Sequence, residues 1–293
     1  MKIIIAFAIA LMVAGAPDTA VRAADSAIKL VAAENFYGGV AQQIAGHDAE
    51  VTSVLSNPDQ DPHLFETAPG VLREVAAAQV VIYNGADYDP WMPKLLAATP
   101  KPDRAVIVVA ELMGKKSGDN PHLWYDPTTM PAVARAIAAT LAKADPAHAA
   151  GYQERLAAFL ASLKPIDDKV EAIRKKFGGA TVTASEPVFG YMADALGLKM
   201  RNDKFQLSIM NDTEPAARDV AAFENDLKGH KVRAMFYNKQ ASSKIVQHLV
   251  ALARANKVPV VGVTETIPPG MTFQQWMLSE LTDTEKALAG PAS

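Results

Sequence analysis

The segment that decides the fold lies in the middle of the chain, at residues 145–177, and reads DPAHAAGYQERLAAFLASLKPIDDKVEAIRKKF. Its apolar residues recur at spacings of three and four, which is the periodicity of an amphipathic helix. Gly178 and Gly179 end the pattern, and Pro165 predicts a kink or a division into two helices. Because a helix of about 30 residues is about 45 Å long, we predict a rigid linking helix over residues 145–178 that passes behind two lobes.

On both sides of this segment, short β-branched runs alternate with helical patterns, which is typical of parallel α/β folds. The predicted strands are residues 28–34, 50–55, 80–84 and 105–109 before the segment, and 180–184, 204–208, 234–237 and 259–263 after it. The pattern predicts two parallel-sheet α/β lobes joined by the linking helix. The N-terminal lobe is expected at residues 24–144 and the C-terminal lobe at residues 179–293.

The N-terminus has the features of a cleavable signal peptide. Lys2 precedes an apolar run over residues 3–15, and Val21 and Ala23 provide small side chains at the two positions that signal peptidase reads. The run is shorter than the roughly 20 apolar residues of a membrane-spanning helix, so we expect cleavage after Ala23. The chain contains no cysteine, which predicts no disulfide and no lipid-modified cysteine. We therefore expect a protein that is free in the periplasm and is not a lipoprotein.

The overall charge limits the choice of ligand. A formal net charge of −3 argues against nucleic acid or anionic lipid as a partner. A small ligand is the better expectation, and we expect the protein to be a monomer.

Four polar residues follow predicted strands at the sheet edge where open α/β sheets bind ligands. They are His63 and His122 in the first lobe and Glu186 and Glu265 in the second lobe. Imidazole and carboxylate groups are good ligands for divalent first-row metals. The sequence therefore predicts a metal site in the cleft between the lobes. The remaining histidines are expected to be surface or structural residues: His47, His148, His230 and His248.

Three motifs carry a resemblance to a known family. They are Asn-Pro-x-x-Asp-Pro-His-x-x-Glu at 57–66, Asn-Pro-His-x-Trp-x-Asp-Pro at 120–127 and Pro-Val-Phe-Gly-Tyr-x-Ala-Asp at 187–194. The sequence resembles the zinc and manganese substrate-binding proteins of bacterial ABC importers over essentially the whole mature chain. This resemblance implies one metal ion buried between two lobes. It also implies delivery to a membrane permease that a cytoplasmic ATPase drives.

The resemblance also implies a ligand set. The two histidine ligands of the family fall on His63 and His122, its third ligand falls on Glu186, and its fourth, usually aspartate, falls on Glu265. Such a site suits four-coordinate Zn²⁺, or Mn²⁺ and Fe²⁺ at higher coordination if the carboxylates are bidentate. Glu186 replaces the histidine of many zinc proteins, which favours Mn²⁺ over Zn²⁺.

Two other functions use similar residues. A metal-dependent hydrolase would need an open coordination position for water, although the chain has no GxSxG or HExxH motif. A protein that binds a siderophore or another organic ligand would need a roomy cleft instead of a closed site.

Overall fold

The computed structural model describes residues 27–58, 65–241 and 243–290. The first lobe contains the elements β1 (Ile28–Glu34), α1 (Asn35–Ala45), β2 (Ala49–Leu55), α2 (Pro69–Ala77), β3 (Val80–Tyr83), α3 (Trp91–Ala98), β4 (Ala105–Val108), α4 (Val109–Leu112) and α5 (Thr129–Ala144). The linking segment contains α6 (Ala149–Ser162) and α7 (Lys164–Phe177). The second lobe contains β5 (Thr181–Ala184), α8 (Gly190–Ala195), β6 (Lys199–Arg201), α9 (Asp203–Met210), α10 (Ala217–Lys228), β7 (Met235–Asn238), α11 (Lys244–Ala255), β8 (Val260–Val263) and α12 (Phe273–Ala289).

The two lobes have the same sheet topology. The strand orders are β2-β1-β3-β4 and β6-β5-β7-β8, and all neighbouring strands are parallel. In each sheet the chain leaves a central strand towards one edge and returns on its other side. The resulting switch points, between β1 and β3 and between β5 and β7, are where such sheets bind ligands. The predicted two-lobed parallel α/β fold is confirmed.

The first sheet is buried because its central strand is apolar on both faces. Every residue of β1 except Lys29 is buried, as expected for a parallel strand covered by helices on each side. In α1, Phe36, Val40 and Ile44 recur at helical spacing and are fully buried. This packing fixes the carboxyl end of β1, where Glu34 begins the ligand-binding edge of the sheet.

The predicted strand at residues 204–208 is wrong, because these residues belong to α9. The alternation of Phe205 and Leu207 suggested a strand, yet Phe205 is buried and Leu207 is 48% exposed. The strand lies earlier, at β6, and the chain turns at Asn202, which has a φ of 65°. The side chain of Gln206 then donates to the carbonyl of Arg201 at 2.7 Å, which ties the helix to the end of the strand.

The linking segment consists of two helices. α6 ends at Ser162, α7 begins at Lys164, and Pro165 lies in the first turn of α7, where its missing N–H leaves no intrahelical partner unsatisfied. α6 packs against α1 and α5 of the first lobe, and α7 packs against α12 of the second lobe. No helix in the described ranges is long and apolar enough to cross a membrane.

A buried hydrogen-bond network joins the lobes at Tyr125. Its hydroxyl lies 2.7 Å from the carbonyl of Thr264 and 2.6 Å from Oε2 of Glu280. Trp276 Nε1 donates to the other carboxyl oxygen of Glu280 at 2.9 Å. Burial raises the pKa of Glu280 to about 7, against the lowering effect of these hydrogen bonds. The network therefore stabilises a carboxyl group in the core beneath the Thr264 loop.

We expect Tyr125→Phe to lower the free energy of unfolding by about 1–3 kcal/mol, since it removes one partner of a buried carboxyl group. Urea unfolding of the metal-free protein measures the change. Tyr83→Phe is the control, because the Tyr83 ring is only partly buried. Equal effects of the two substitutions would show that the Tyr125 network does not stabilise the lobe interface.

Candidate metal centre

The imidazole of His122 is buried and held in one tautomer. The residue follows α4, is 0% exposed, and its Nδ1 lies 2.6 Å from Oδ1 of Asn120. The amide of Asn120 is oriented by its Nδ2, which donates to the carbonyl of Pro187 at 2.8 Å. Because Oδ1 can only accept, Nδ1 of His122 carries the proton and Nε2 keeps a lone pair for a metal.

The carboxylate of Glu265 faces this lone pair from the other lobe. Oε2 of Glu265 lies 3.5 Å from Nε2 of His122, and both side chains are 0% exposed. The loop after β8 that carries Glu265 is tied to the first lobe. Asn35 Nδ2 donates to the carbonyl of Ile267 at 3.0 Å, and the Ile267 N–H donates to Asn35 Oδ1 at 2.9 Å. Contacts between the lobes therefore fix the position of the carboxylate.

Glu186 and Glu265 accept hydrogen bonds from the same side chain. Glu186 follows β5 and is 4% exposed. The amide nitrogen Nδ2 of Asn238, the last residue of β7, lies 2.8 Å from Oε2 of Glu186 and 2.5 Å from Oε1 of Glu265. One amide group thus holds the two carboxylates of the second lobe together.

Of the four residues predicted as metal ligands, the structure places His122 against Glu265 and links Glu265 to Glu186 through Asn238. The fourth, His63, lies outside the described residues. Within the described ranges, no group of three or more histidine, cysteine, aspartate or glutamate side chains is placed closely enough to hold a metal ion by itself. The four other histidines are all exposed, as predicted: His47, His148, His230 and His248.

Two asparagines that contact the candidate site residues were not predicted from the sequence. Asn120 belongs to the Asn-Pro-His motif, so its closeness to His122 could have been noticed. Asn238 follows a predicted strand at the ligand-binding edge of the sheet. Its position satisfies the rule that selected the ligands, but an amide is a weaker metal ligand than an imidazole or a carboxylate and was not considered.

A second pair of acidic side chains lies behind the His122 loop. Burial, and then the negative charge of Asp89, raise the pKa of Glu34 well above its usual value. Burial likewise raises the pKa of Asp89 to about 6, although its carboxylate accepts from the N–H groups of Asn84 and Gly85 at 2.6 and 2.9 Å. Asn84 in turn donates to the carbonyl of Pro121 at 2.8 Å. Asp89 of this acid pair therefore holds the backbone of Asn84, and Asn84 in turn positions the loop that carries His122.

Comparison with known proteins shows the family to which this chain belongs. The model of the family described as "ZnuA: Zinc-uptake complex component A periplasmic" matches residues 30–287. The chain belongs to this family. It is therefore a metal-binding substrate-binding protein of the metal ABC transporters and not an enzyme, which decides against the hydrolase.

The individual relatives have low sequence identity to this chain, but the matched regions are long. The chain is 22% identical to the manganese-binding lipoprotein MntA of Bacillus subtilis over 81% of this chain and 79% of MntA. It is 24% identical to the high-affinity zinc uptake protein ZnuA of Bacillus subtilis over 65% of each chain. The structure of the periplasmic zinc-binding protein TroA from Treponema pallidum matches with a TM-score of 0.76 and 19% identity, over 90% of this chain and 99% of TroA. The last match shows that the two-lobed fold is shared.

The prediction of a protein that is free in the periplasm and is not a lipoprotein is wrong. MntA and several other relatives are named lipoproteins. The prediction relied on the absence of cysteine, which concerns one kind of lipid attachment and does not determine a location. The signal peptide predicted at residues 1–23 lies outside the described residues.

We expect the stability of the metal-free protein to fall as the pH rises from about 4 to 7, and Glu34→Gln to reduce this fall. An acid whose pKa is higher in the folded state than its unfolded value, about 4 for Asp and Glu, makes the folded protein bind more protons. Its stabilising contribution is complete below the unfolded pKa and is lost as the pH rises through the folded pKa. Urea unfolding between pH 4 and 7.5 measures the slope.

The matched control for this prediction is Glu154→Gln, because Glu154 is exposed on α6. It should leave the slope unchanged. If Glu34→Gln has the same slope as the parent protein, the buried acid pair does not bind the extra proton.

Proposed function

We propose that this protein binds one divalent transition-metal ion per monomer through His63, His122, Glu186 and Glu265 and delivers it to the membrane permease of an ABC importer, with a cytoplasmic ATPase driving transport. The observation that carries the proposal is the buried contact between His122 of the first lobe and Glu265 of the second, at 3.5 Å. The family to which the chain belongs supports the transport role.

The spacing of these two side chains suits a common metal ion. Zinc binds imidazole nitrogen and carboxylate oxygen at about 2.0–2.2 Å, which places two ligands of a tetrahedral ion about 3.4 Å apart. The observed separation of 3.5 Å between His122 Nε2 and Glu265 Oε2 is close to this value. One ion between these atoms would therefore join the two lobes.

The charges of the site also favour a cation. Glu186 and Glu265 are both almost fully buried and share one amide donor. Two neighbouring buried carboxylates are unfavourable when ionised unless a positive charge lies near them. A divalent ion supplies that charge, whereas a bulky organic ligand would require side chains that are more accessible than these. The siderophore-binding alternative is therefore disfavoured.

The donor set alone does not separate zinc, manganese and ferrous ions. Relatives carry both manganese and zinc in their names. The carboxylate at Glu186 favours manganese only if it binds with both oxygens, because a higher coordination number is what distinguishes the manganese site from the zinc site. The choice therefore depends on how many oxygens each carboxylate provides.

We expect saturating Zn²⁺ or Mn²⁺ to raise the melting temperature, and His122→Ala or His63→Ala to remove most of the increase. A ligand that binds only the folded state at 100 times its Kd stabilises by about 2.7 kcal/mol. Scanning calorimetry of chelator-treated protein with and without metal measures the shift. His248→Ala is the control, because His248 is an exposed histidine that contacts Glu224. Full metal stabilisation of both ligand variants would refute the assignment.

We expect metal binding to leave the radius of gyration almost unchanged. The lobes are joined by the linking segment, by the Asn35–Ile267 hydrogen bonds and by the Asn120–Pro187 hydrogen bond, which oppose a wide hinge motion. Small-angle X-ray scattering of metal-free and metal-loaded protein measures the change. A large decrease on loading would contradict a restrained arrangement of the lobes.

A further inference from the structure

We propose that Asn238 determines metal specificity by holding Glu186 and Glu265 as ligands that bind through one oxygen each, which favours four-coordinate zinc over manganese. This inference rests on the proposed function. Asn238 does not itself bind the metal in this proposal. It is a positioning residue that acts through the two carboxylates.

The geometry assigns one oxygen of each carboxylate to Asn238. Its Nδ2 lies 2.8 Å from Oε2 of Glu186 and 2.5 Å from Oε1 of Glu265. The other oxygen of Glu265, Oε2, is the atom that faces His122 at 3.5 Å. The two oxygens of Glu265 therefore have different roles, since one contacts the amide and the other contacts the metal-binding edge of the first lobe.

The orientation of Asn238 is itself fixed. The side chain is 1% exposed, and its Oδ1 accepts from the N–H of Gln240 at 2.9 Å. Its own N–H donates to Oγ of Ser185, the neighbour of Glu186, at 3.2 Å. A rotation of the amide would break buried hydrogen bonds, so the amide nitrogen stays directed at the two carboxylates.

A second hydrogen bond holds the backbone of Glu265. Its N–H donates to Oε1 of Gln240 at 2.6 Å, and Nε2 of Gln240 lies 3.1 Å from Oγ1 of Thr266. Gln240 therefore links the amide of Asn238 to the loop that carries the carboxylate. For Glu265 to become bidentate, Oε1 would have to bind the metal with its remaining lone pair or give up the hydrogen bond from Asn238 while the backbone stays in place.

Coordination number connects this geometry to specificity. With one oxygen from each carboxylate and one nitrogen from each histidine, the protein supplies four ligands, which is the usual number for zinc. Bidentate carboxylates would supply up to six and would suit manganese better. Asn238 therefore counteracts the manganese preference that Glu186 suggests in the sequence.

The first test is a competition titration of Zn²⁺ and Mn²⁺ against the parent protein and Asn238→Ala. We expect the variant to lose about tenfold in zinc affinity, the lower end of the usual effect of removing a residue that orients a ligand. Manganese affinity should stay about the same, so that the ratio of the two dissociation constants moves towards manganese by about tenfold. Asn256→Ala is the matched control. Asn256 caps α11 through a hydrogen bond to Leu252, and its loss should leave the ratio unchanged.

The second test reads the coordination number directly from the spectrum of bound Co²⁺. Co²⁺ absorbs visible light strongly in a four-coordinate tetrahedral site and weakly in a six-coordinate site. We expect the Co²⁺-loaded parent protein to give the strong spectrum and Asn238→Ala to give a weaker one. A change in folding alone would not convert one spectrum into the other, and circular dichroism of the metal-free variant checks that it is folded.

The outcomes separate the two proposals. If the parent protein binds neither Zn²⁺ nor Mn²⁺, the proposed function is wrong. If it binds both, but Asn238→Ala leaves the ratio unchanged, or the parent protein gives the weak six-coordinate Co²⁺ spectrum, the proposed function stands and the role of Asn238 is overturned.

Discussion

The structure depends on bringing a buried imidazole of one lobe against a buried carboxylate of the other. His122 and Glu265 are each 0% exposed and are separated by 3.5 Å, so both polar side chains are shielded from bulk solvent. Such a contact persists only if the surrounding groups hold both residues in place. The hydrogen bonds that join Asn35 to Ile267 and Asn120 to Pro187 serve this purpose, since each connects the first lobe to a loop that carries a carboxylate of the second lobe. The same hydrogen bonds therefore join the lobes and hold the side chains of the proposed metal site.

Asparagines at equivalent places in the two sheets position the proposed ligands. Asn84 directly follows β3 and Asn238 ends β7, and these strands occupy the same place in their sheets. Asn84 donates to the carbonyl of Pro121, next to His122, whereas Asn238 donates to Glu186 and Glu265. An amide suits this position because it donates and accepts at once without adding a charge near the carboxylates. Because the two sheets have the same topology, Asn84 and Asn238 have equivalent roles in the two lobes, even though the lobes show no detectable sequence repetition.

The sequence predicted the parts of the molecule that depend on local patterns. The β-branched run of β1 and the break near Pro165 follow from periodicity and proline chemistry. The sheet-edge rule selected His122, Glu186 and Glu265, whose role as metal ligands stays a prediction. The strand predicted at residues 204–208 failed because alternation over five residues cannot reveal that Asn202 turns the chain and that only Phe205 faces the core. The role of Asn238 depends on contacts with residues 52 and 27 positions away, which no local pattern encodes. The absence of cysteine did not predict the location in the cell correctly, because relatives such as MntA are named lipoproteins.

The central claim is that the two lobes enclose one divalent transition-metal ion. The most direct measurement is elemental analysis of the protein purified without chelator, together with a His122→Ala variant prepared in the same way. We expect close to one transition-metal ion per chain in the parent protein and little or none in the variant. A parent protein without a transition metal, or a variant that retains as much metal as the parent, would contradict the account.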